Sequence, residues 1–277
     1  MATLQNRRVH FMALHQENRA FLMANPFDIG TTRILEGLRF EALATTSAGY
    51  AFSRGFKDAE GLITRDMALS HAADIVAATN LPVNGDLENG FGDSPDAVAE
   101  TVRGAIEAGL CGCSIEDYSI DPRAPFYDLD LAVERIRAAA DVKNRLAPDF
   151  VLTARSEAPI ADPAHLEMTI QRLNAFADAG ADCLYAPELV KQDDIATVLQ
   201  TVTKPLNILA GRKKFHLTGK ELADMGVSRI SIGSGLARIA YGAFTAAAED
   251  MKDGGTFGCF DRAEGMSDFD PFLKGRT

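Results

Sequence analysis

Residues 81–92, Leu-Pro-Val-Asn-Gly-Asp-Leu-Glu-Asn-Gly-Phe-Gly, end an apolar run on two carboxylates two positions apart, Asp86 and Glu88, followed by glycines at 90 and 92. Side chains alternate along a strand with period two. If 82–86 is a strand, Asp86 stands at its carboxyl end, and Glu88 points the same way as long as the backbone stays extended. The glycines let the chain bend and approach a ligand closely. Such a pair suits a hard cation with oxygen ligands, or an anionic substrate held at the mouth of a barrel.

Other apolar runs also close on polar residues: Asn25, Ser47, Glu116 with Asp117, Arg155 with Glu157, Glu188, Asn207 and Ser231. Acids gathered at one mouth repel each other unless a cation or an arginine neutralises them. Asp86, Glu88 and Glu116 supply the negative field and Arg155 part of the compensation. Mg2+ fits best, since it needs only one or two carboxylates and keeps several waters; Mn2+ is its substitute. Zinc fits poorly, because His10, His15, His71, His165 and His216 are scattered and no cysteine pair has ligand spacing. No lysine falls at a strand end, which argues against a Schiff-base aldolase.

The elements that must position these groups follow from the pattern. Strands are expected at 21–25, 42–47, 82–86, 112–116, 150–155, 182–186, 206–209 and 229–232. Helices are expected at 7–18, 64–79, 94–108, 129–146, 163–179, 193–201, 219–225 and 235–251. Ser94 then Pro95 is an N-cap and first-turn pair, and Gly109 lies just past the end. Strand–helix alternation at this spacing requires parallel strands with crossover helices. About eight such units in 277 residues favour an α/β fold of the (β/α)8 TIM-barrel class, a single domain over 1–277 with an N-terminal capping helix. The segments 55–63 and 117–128 are long for such loops and read as binding loops.

The chain carries a net charge of −11, against the basic footprint that nucleic-acid binding needs. No apolar run approaches membrane-spanning length, and the N-terminal stretch lacks a secretory pattern, so a cytoplasmic protein is expected. Cys111, Cys113, Cys183 and Cys259 read as small buried side chains, with a reactive or metal-bound thiol as the alternative.

The segments Asn25-Pro-Phe-Asp28, Thr45-Thr-Ser-Ala-Gly-Tyr50, Gly85-Asp-Leu-Glu-Asn-Gly-Phe-Gly92, Ser114-Ile-Glu-Asp117, Thr153-Ala-Arg155 and Ser231-Ile-Gly-Ser-Gly-Leu-Ala-Arg238 resemble, in order and spacing, the isocitrate lyase/phosphoenolpyruvate mutase superfamily over roughly residues 10–250. The resemblance implies a barrel whose last helix is exchanged with a neighbouring subunit, with 240–277 in inter-subunit packing, and a homotetramer built as a dimer of dimers. It implies Asp86 as the principal metal-side carboxylate with Glu88 and Glu116 as partners, and Asp58 as a loop aspartate near metal and substrate. It also implies Ser47, Ala48 and Gly49 as a substrate-carboxylate cradle, and Arg155 and Asn207 as substrate contacts. Catalytic roles fall to Asp58, Arg155 and Glu116.

The superfamily's lyases carry a Lys-Lys/Arg-Cys-Gly-His loop after the fourth strand. Here the stretch is Asp117-Tyr-Ser-Ile-Asp-Pro-Arg-Ala-Pro-Phe-Tyr127, with neither cysteine nor histidine, and the lysine- and asparagine-bearing mutase motif is missing too. Arg123 either meets an anion or sits on the surface; Tyr118 either donates a proton or packs. The basic cluster Arg212, Lys213, Lys214 and His216 reads as an anion site or a solvated loop. Ser231-Ile-Gly-Ser-Gly235 either presents N–H groups to an anion or serves close packing. The expected function is Mg2+-dependent cleavage of a C–C (or P–C) bond beside a 2-oxo or 2-hydroxy carboxylate such as oxaloacetate. The alternatives are a non-catalytic oxo-acid binder, a phosphomutase-type activity, and a phosphate-handling barrel.

Overall fold

Eight short strands pair in parallel in sequence order: β1 (Phe21–Ala24), β2 (Ala42–Ala44), β3 (Val83–Asp86), β4 (Gly112–Glu116), β5 (Val151–Arg155), β6 (Cys183–Tyr185), β7 (Leu206–Leu209) and β8 (Arg229–Ser231). β8 returns to pair with β1, so the sheet closes into the expected (β/α)8 barrel. The computed structural model describes residues 3–17 and 19–273. Asn18, the last residue of the expected N-terminal helix, and the end of the tail at 274–277 lie outside the described residues.

Around the barrel run α1 (Leu4–Leu14), α2 (Ile29–Gly37), α3 (Ser47–Ser53), α4 (Arg65–Ala78), α5 (Pro95–Glu107), α6 (Leu129–Leu146), α7 (Pro163–Asp178), α8 (Gln192–Thr201), α9 (Gly219–Met225) and α10 (Gly235–Gly254). Except at Leu22 in β1, the strands are buried on both faces and therefore read as nearly continuous apolar runs. α1 plugs the amino-terminal end of the barrel: Phe11 and Leu14 pack on Phe21, Met23, Val151 and Cys183. This plug depends on Gly112, where a Cβ would lie 2.6 Å from the Val151 carbonyl oxygen and 2.9 Å from the Phe11 ring.

Two helices were not expected. α2 contains two glycines and two threonines, poor helix formers, but its start is signalled by Asp28 and Thr31, which form a reciprocal capping box. α3 begins where β2 was expected to continue. β2 stops at Ala44 because Thr46 turns to cap α3, its side chain accepting the Gly49 N–H. That start places Ser47 and Ala48 at the barrel's carboxyl-terminal mouth.

α10 is the least covered element. Only Ala237 is buried along it, and Ile239 and Phe244 are 69% and 73% exposed. The tail folds back so that the Phe272 ring occupies the space a Cβ at Gly37 would need. Among the described residues no helix is long and apolar enough to cross a membrane.

Candidate active site

The register of β3, β4 and β5 sets Asp86 beside Ser114 and, two residues further along, Glu116 beside Arg155. Arg155 Nη1 lies 3.3 Å from both Asp86 Oδ1 and Glu116 Oε2, and its Nε donates to Glu157. The guanidinium sits 5.1 Å above the Tyr185 ring. Burial alone would lower the Arg155 pKa, but Glu157 and Glu116 outweigh it and hold the group well above its ordinary value. Arg155 therefore stays charged, at the hub of the acids, as its position at a strand end suggested.

Asp86 is fixed from the other side. Its Oδ2 accepts both the N–H and the hydroxyl of Ser47, each at 2.9 Å. The Gly49 N–H is engaged by the Thr46 hydroxyl oxygen, so of the expected carboxylate cradle it is Ala48 that borders the cavity with its N–H not given to these two partners. Gly49 is required here, since a Cβ would lie 2.6 Å from Thr46 Cγ2 and 3.3 Å from Ala237 Cβ.

Glu88 does not follow the extended path assumed from period two. Its φ is +48°, and Gly90 and Phe91 are also left-handed, so the chain coils immediately after β3. The carboxylate still reaches the site, where burial, then Asp86 and Asp58, push its pKa up to about 7. Burial likewise raises Glu116, with Arg155 opposing. Asp58 lies in the loop between α3 and α4; desolvation and then Asp86 raise its pKa.

Two cavities share this cluster. The outer one, about 420 Å³, is walled by Asp58, Glu88, Glu116, Arg155 and Glu157, with Arg65, Phe91, Tyr118 and Ile120 among its other residues. The inner one, about 150 Å³, runs into the barrel past Asp86, Ala48, Tyr185 and Asn207. Asn207 is held in place: its amide donates to Ser231 Oγ at 2.9 Å, and its oxygen accepts Arg229 Nε at 2.9 Å. Arg229 is 1% exposed and its other partners, His15 and Thr153, are equally without a carboxylate. Burial and Arg229 drive the His15 pKa down to about 3, so that ring is neutral.

The carboxylates around the outer cavity exceed the positive charge beside them, and burial raises several of their pKa values; a divalent cation with oxygen ligands would relieve both. Among the described residues no group of three or more His, Cys, Asp or Glu side chains is placed to hold a metal between them. The donor set therefore does not match a closed zinc site and fits an ion such as Mg2+, which needs few protein ligands. The cysteines take no part: Cys111, Cys113 and Cys183 are buried, with burial raising each thiol, and Cys259 is half-buried in the tail.

Arginines missed in the sequence hold the loops. Arg135, on the apolar face of α6, donates to the carbonyls of Asn89, Gly92 and Asp93, and its guanidinium lies 4.0 Å from the Tyr127 ring centroid. Arg172, on the apolar face of α7, pairs with Asp117 at 3.1 Å and donates to the Tyr127 carbonyl. Asp117 in turn accepts the Glu157 N–H at 2.8 Å. The available signal was an arginine at a helical position spaced to face inward, as with Ala132, Arg135, Ile136 and Ala139.

The open alternatives resolve by position. Arg123 is 86% exposed and paired with Asp121, away from both cavities. Tyr118 both packs edge-on against Phe126 and lines the outer cavity. Arg212 pairs with Glu188 at 2.7 Å, and Lys213, Lys214 and His216 are exposed outside both cavities. Gly233 and Ser234 border the inner cavity, close to Gly211, where a Cβ would strike the Ile232 carbonyl.

The model of the phosphoenolpyruvate phosphomutase family matches residues 11–252. The chain belongs to this family. A crystal structure from Burkholderia cenocepacia J2315, of a lyase/mutase by provisional name, is 49% identical with a TM-score of 0.92, covering 97% of this chain and 96% of that one. A 2-methylisocitrate lyase from Halalkalibacterium halodurans is 27% identical over 89% of this chain and 82% of its own length. An oxaloacetate acetylhydrolase solved with the product oxalate is 25% identical, with a TM-score of 0.86 and coverage of 96% and 94%. The phosphoenolpyruvate mutase/isocitrate lyase superfamily resemblance is thus borne out, and with it an enzyme family whose members cleave or rearrange small carboxylates.

Proposed function

We propose that this protein is a Mg2+-dependent lyase or hydrolase that cleaves a C–C bond beside a 2-oxo or 2-hydroxy carboxylate, through an enolate, with oxaloacetate-like dicarboxylates as substrates. The observation that carries this reading is Arg155 between Asp86 and Glu116 at the rim of a cavity that also holds Asp58 and Glu88. Asp86 would ligate the cation directly, with Glu88 and Glu116 acting mainly through its bound water and Mn2+ as a substitute, and the ion would supply positive charge to the substrate's C1 carboxylate and C2 oxygen. Ser47 orients Asp86, and Ala48 together with Arg155 receives the substrate carboxylate. As the bond from C3 to the departing carbon breaks, its electron pair forms the C2–C3 double bond of the enolate, the departing carbon leaves as CO2 or a carbonyl compound, and Arg155 stabilises the charge gathered on the C2 oxygen more than in the ground state. Asp58, which borders both cavities, would hold a proton near the reacting end. Asn207 positions the floor through Ser231 and Arg229.

The test is release of pyruvate or oxalate from a panel of C4 and C5 oxo and hydroxy dicarboxylates with Mg2+. Asp86→Ala and Arg155→Ala should each lower turnover by about 100-fold or more, a loss of roughly 3 kcal/mol in transition-state stabilisation. Unchanged turnover in both variants rejects the reading. A binding-only member is the second reading, favoured by a 117–127 loop that lends the cavity only Tyr118 and Ile120; stabilisation by oxo acids without product would support it. Phosphomutase chemistry is a weaker alternative, because the loop's one cation, Arg123, is paired with Asp121. We also propose a cytoplasmic homotetramer, a dimer of dimers, with 240–277 in the subunit contacts; the bare apolar side chains of α10 support it.

A further inference from the structure

We propose that Arg65 anchors a second, distal carboxylate of the substrate, so that the preferred 2-oxo acid is longer than oxaloacetate and carries an apolar stretch between its two charged ends. This rests on the 2-oxo acid reading above and deepens it. Arg65 opens α4 and lines the outer cavity that also holds Arg155, Glu88 and Glu116. It is half-buried, one Nη donates to the Ala97 carbonyl at 3.2 Å, and among the described residues it forms no ion pair. A guanidinium fixed by one bond keeps further N–H groups in a planar fork, the shape that receives a carboxylate with two parallel hydrogen bonds.

Arg155 is paired with Asp86, Glu116 and Glu157, whereas among the described residues Arg65 pairs with none of the acids of the site. The cavity therefore has two cationic poles, and apolar side chains, Ile63, Phe91 and Ile120, lie in the same wall. A volume of about 420 Å³ falls within the range of cavities that enclose ligands larger than a four-carbon acid. The distal group is a carboxylate and not a phosphate. A dianion would meet stronger repulsion from Asp58, Glu88, Glu116 and Glu157 in the same cavity.

The experiment is calorimetric binding to the Mg2+-loaded protein of 2-oxo dicarboxylates with four, five and six carbons, each paired with the 2-oxo monocarboxylate of equal length. The wild-type protein should prefer the dicarboxylate by tenfold or more at five or six carbons and by less at four. Arg65→Met should bring that preference to within about twofold, and Arg65→Lys should restore part of it. Indifference to the distal charge at every length overturns the proposal, as does a folded Arg65→Met that keeps the preference, or absence of binding by every acid. Because the wild-type series decides alone, a variant that fails to fold does not shelter the idea. Charge-selective binding without cleavage would defeat the lyase reading and leave this one standing; cleavage indifferent to the distal group would do the reverse.

Discussion

Replacing Glu88 by glutamine should make the metal-free protein more stable, and only above a definite pH. The folded chain holds the Glu88 pKa near 7, against an ordinary value of 4.5, through burial and then the charges of Asp86 and Asp58. Between those two values the folded state binds more protons than the unfolded state, so stability falls as pH rises through the window. The interval of about 2.5 units at roughly 1.36 kcal/mol each gives an upper bound of about 3 kcal/mol lost by pH 8. Glutamine mimics the protonated acid at every pH. Glu88→Gln should therefore match the wild type near pH 4.5 and exceed it at pH 8 by up to about 3 kcal/mol, or up to about 6 °C in Tm. Urea unfolding and thermal melts in EDTA, from pH 4.5 to 8, read this directly. Mg2+ favours the ionised acid, so the wild-type Tm gain on adding it should grow with pH and shrink in the variant. A stability difference that stays constant across pH, or a variant weaker than the wild type at pH 8, would refute the reasoning.

Arg135→Met should cost about 2 kcal/mol or more, because it strands carbonyls of the 89–93 loop that a charged donor now satisfies; faster proteolysis within that loop checks it. Gly49→Ala should destabilise by about 1–3 kcal/mol through overpacking against Thr46 and Ala237, and should weaken 2-oxo acid binding more than a surface alanine does. Phe244→Asp should lower the oligomeric state seen by light scattering while leaving far-UV circular dichroism unchanged, since this side chain is exposed in the isolated chain.

The barrel and the ends of β3, β4 and β5 were legible because apolar runs buried on both faces stop where the chain meets water, and Asp86, Glu116 and Arg155 mark those stops. Glu88 was placed at the right mouth for an incomplete reason. Period two holds only while the backbone is extended, and the left-handed turn at Glu88 follows from loop packing that spacing alone does not encode. α2 and α3 were missed because Gly30, Thr31 and Thr32 in one, and Ser47 and Gly49 in the other, are weak helix formers, while their caps act through short-range hydrogen bonds. The buried arginines were hidden for another reason. An arginine in a helix is ordinarily solvated, and only the tertiary fold reveals that Arg135 and Arg172 meet carbonyls and Asp117. Arg229 escaped similarly, inside a strand where its neutral partners come from β5, β7 and α1's C-terminal end.

The helix that leaves Ile239 and Phe244 bare turns its other side to α3 at the mouth of the barrel. Ala237 abuts Gly49, Tyr241 packs near Phe27 and Phe52, and Ser47 at the head of that same short helix grips Asp86. Docking of a neighbour on α10 would thus press on the helix whose first residue orients Asp86, the carboxylate proposed to hold the cation. Ligand affinity in such an assembly would depend on protein concentration, and occupancy of one protomer could be felt by the next as cooperativity.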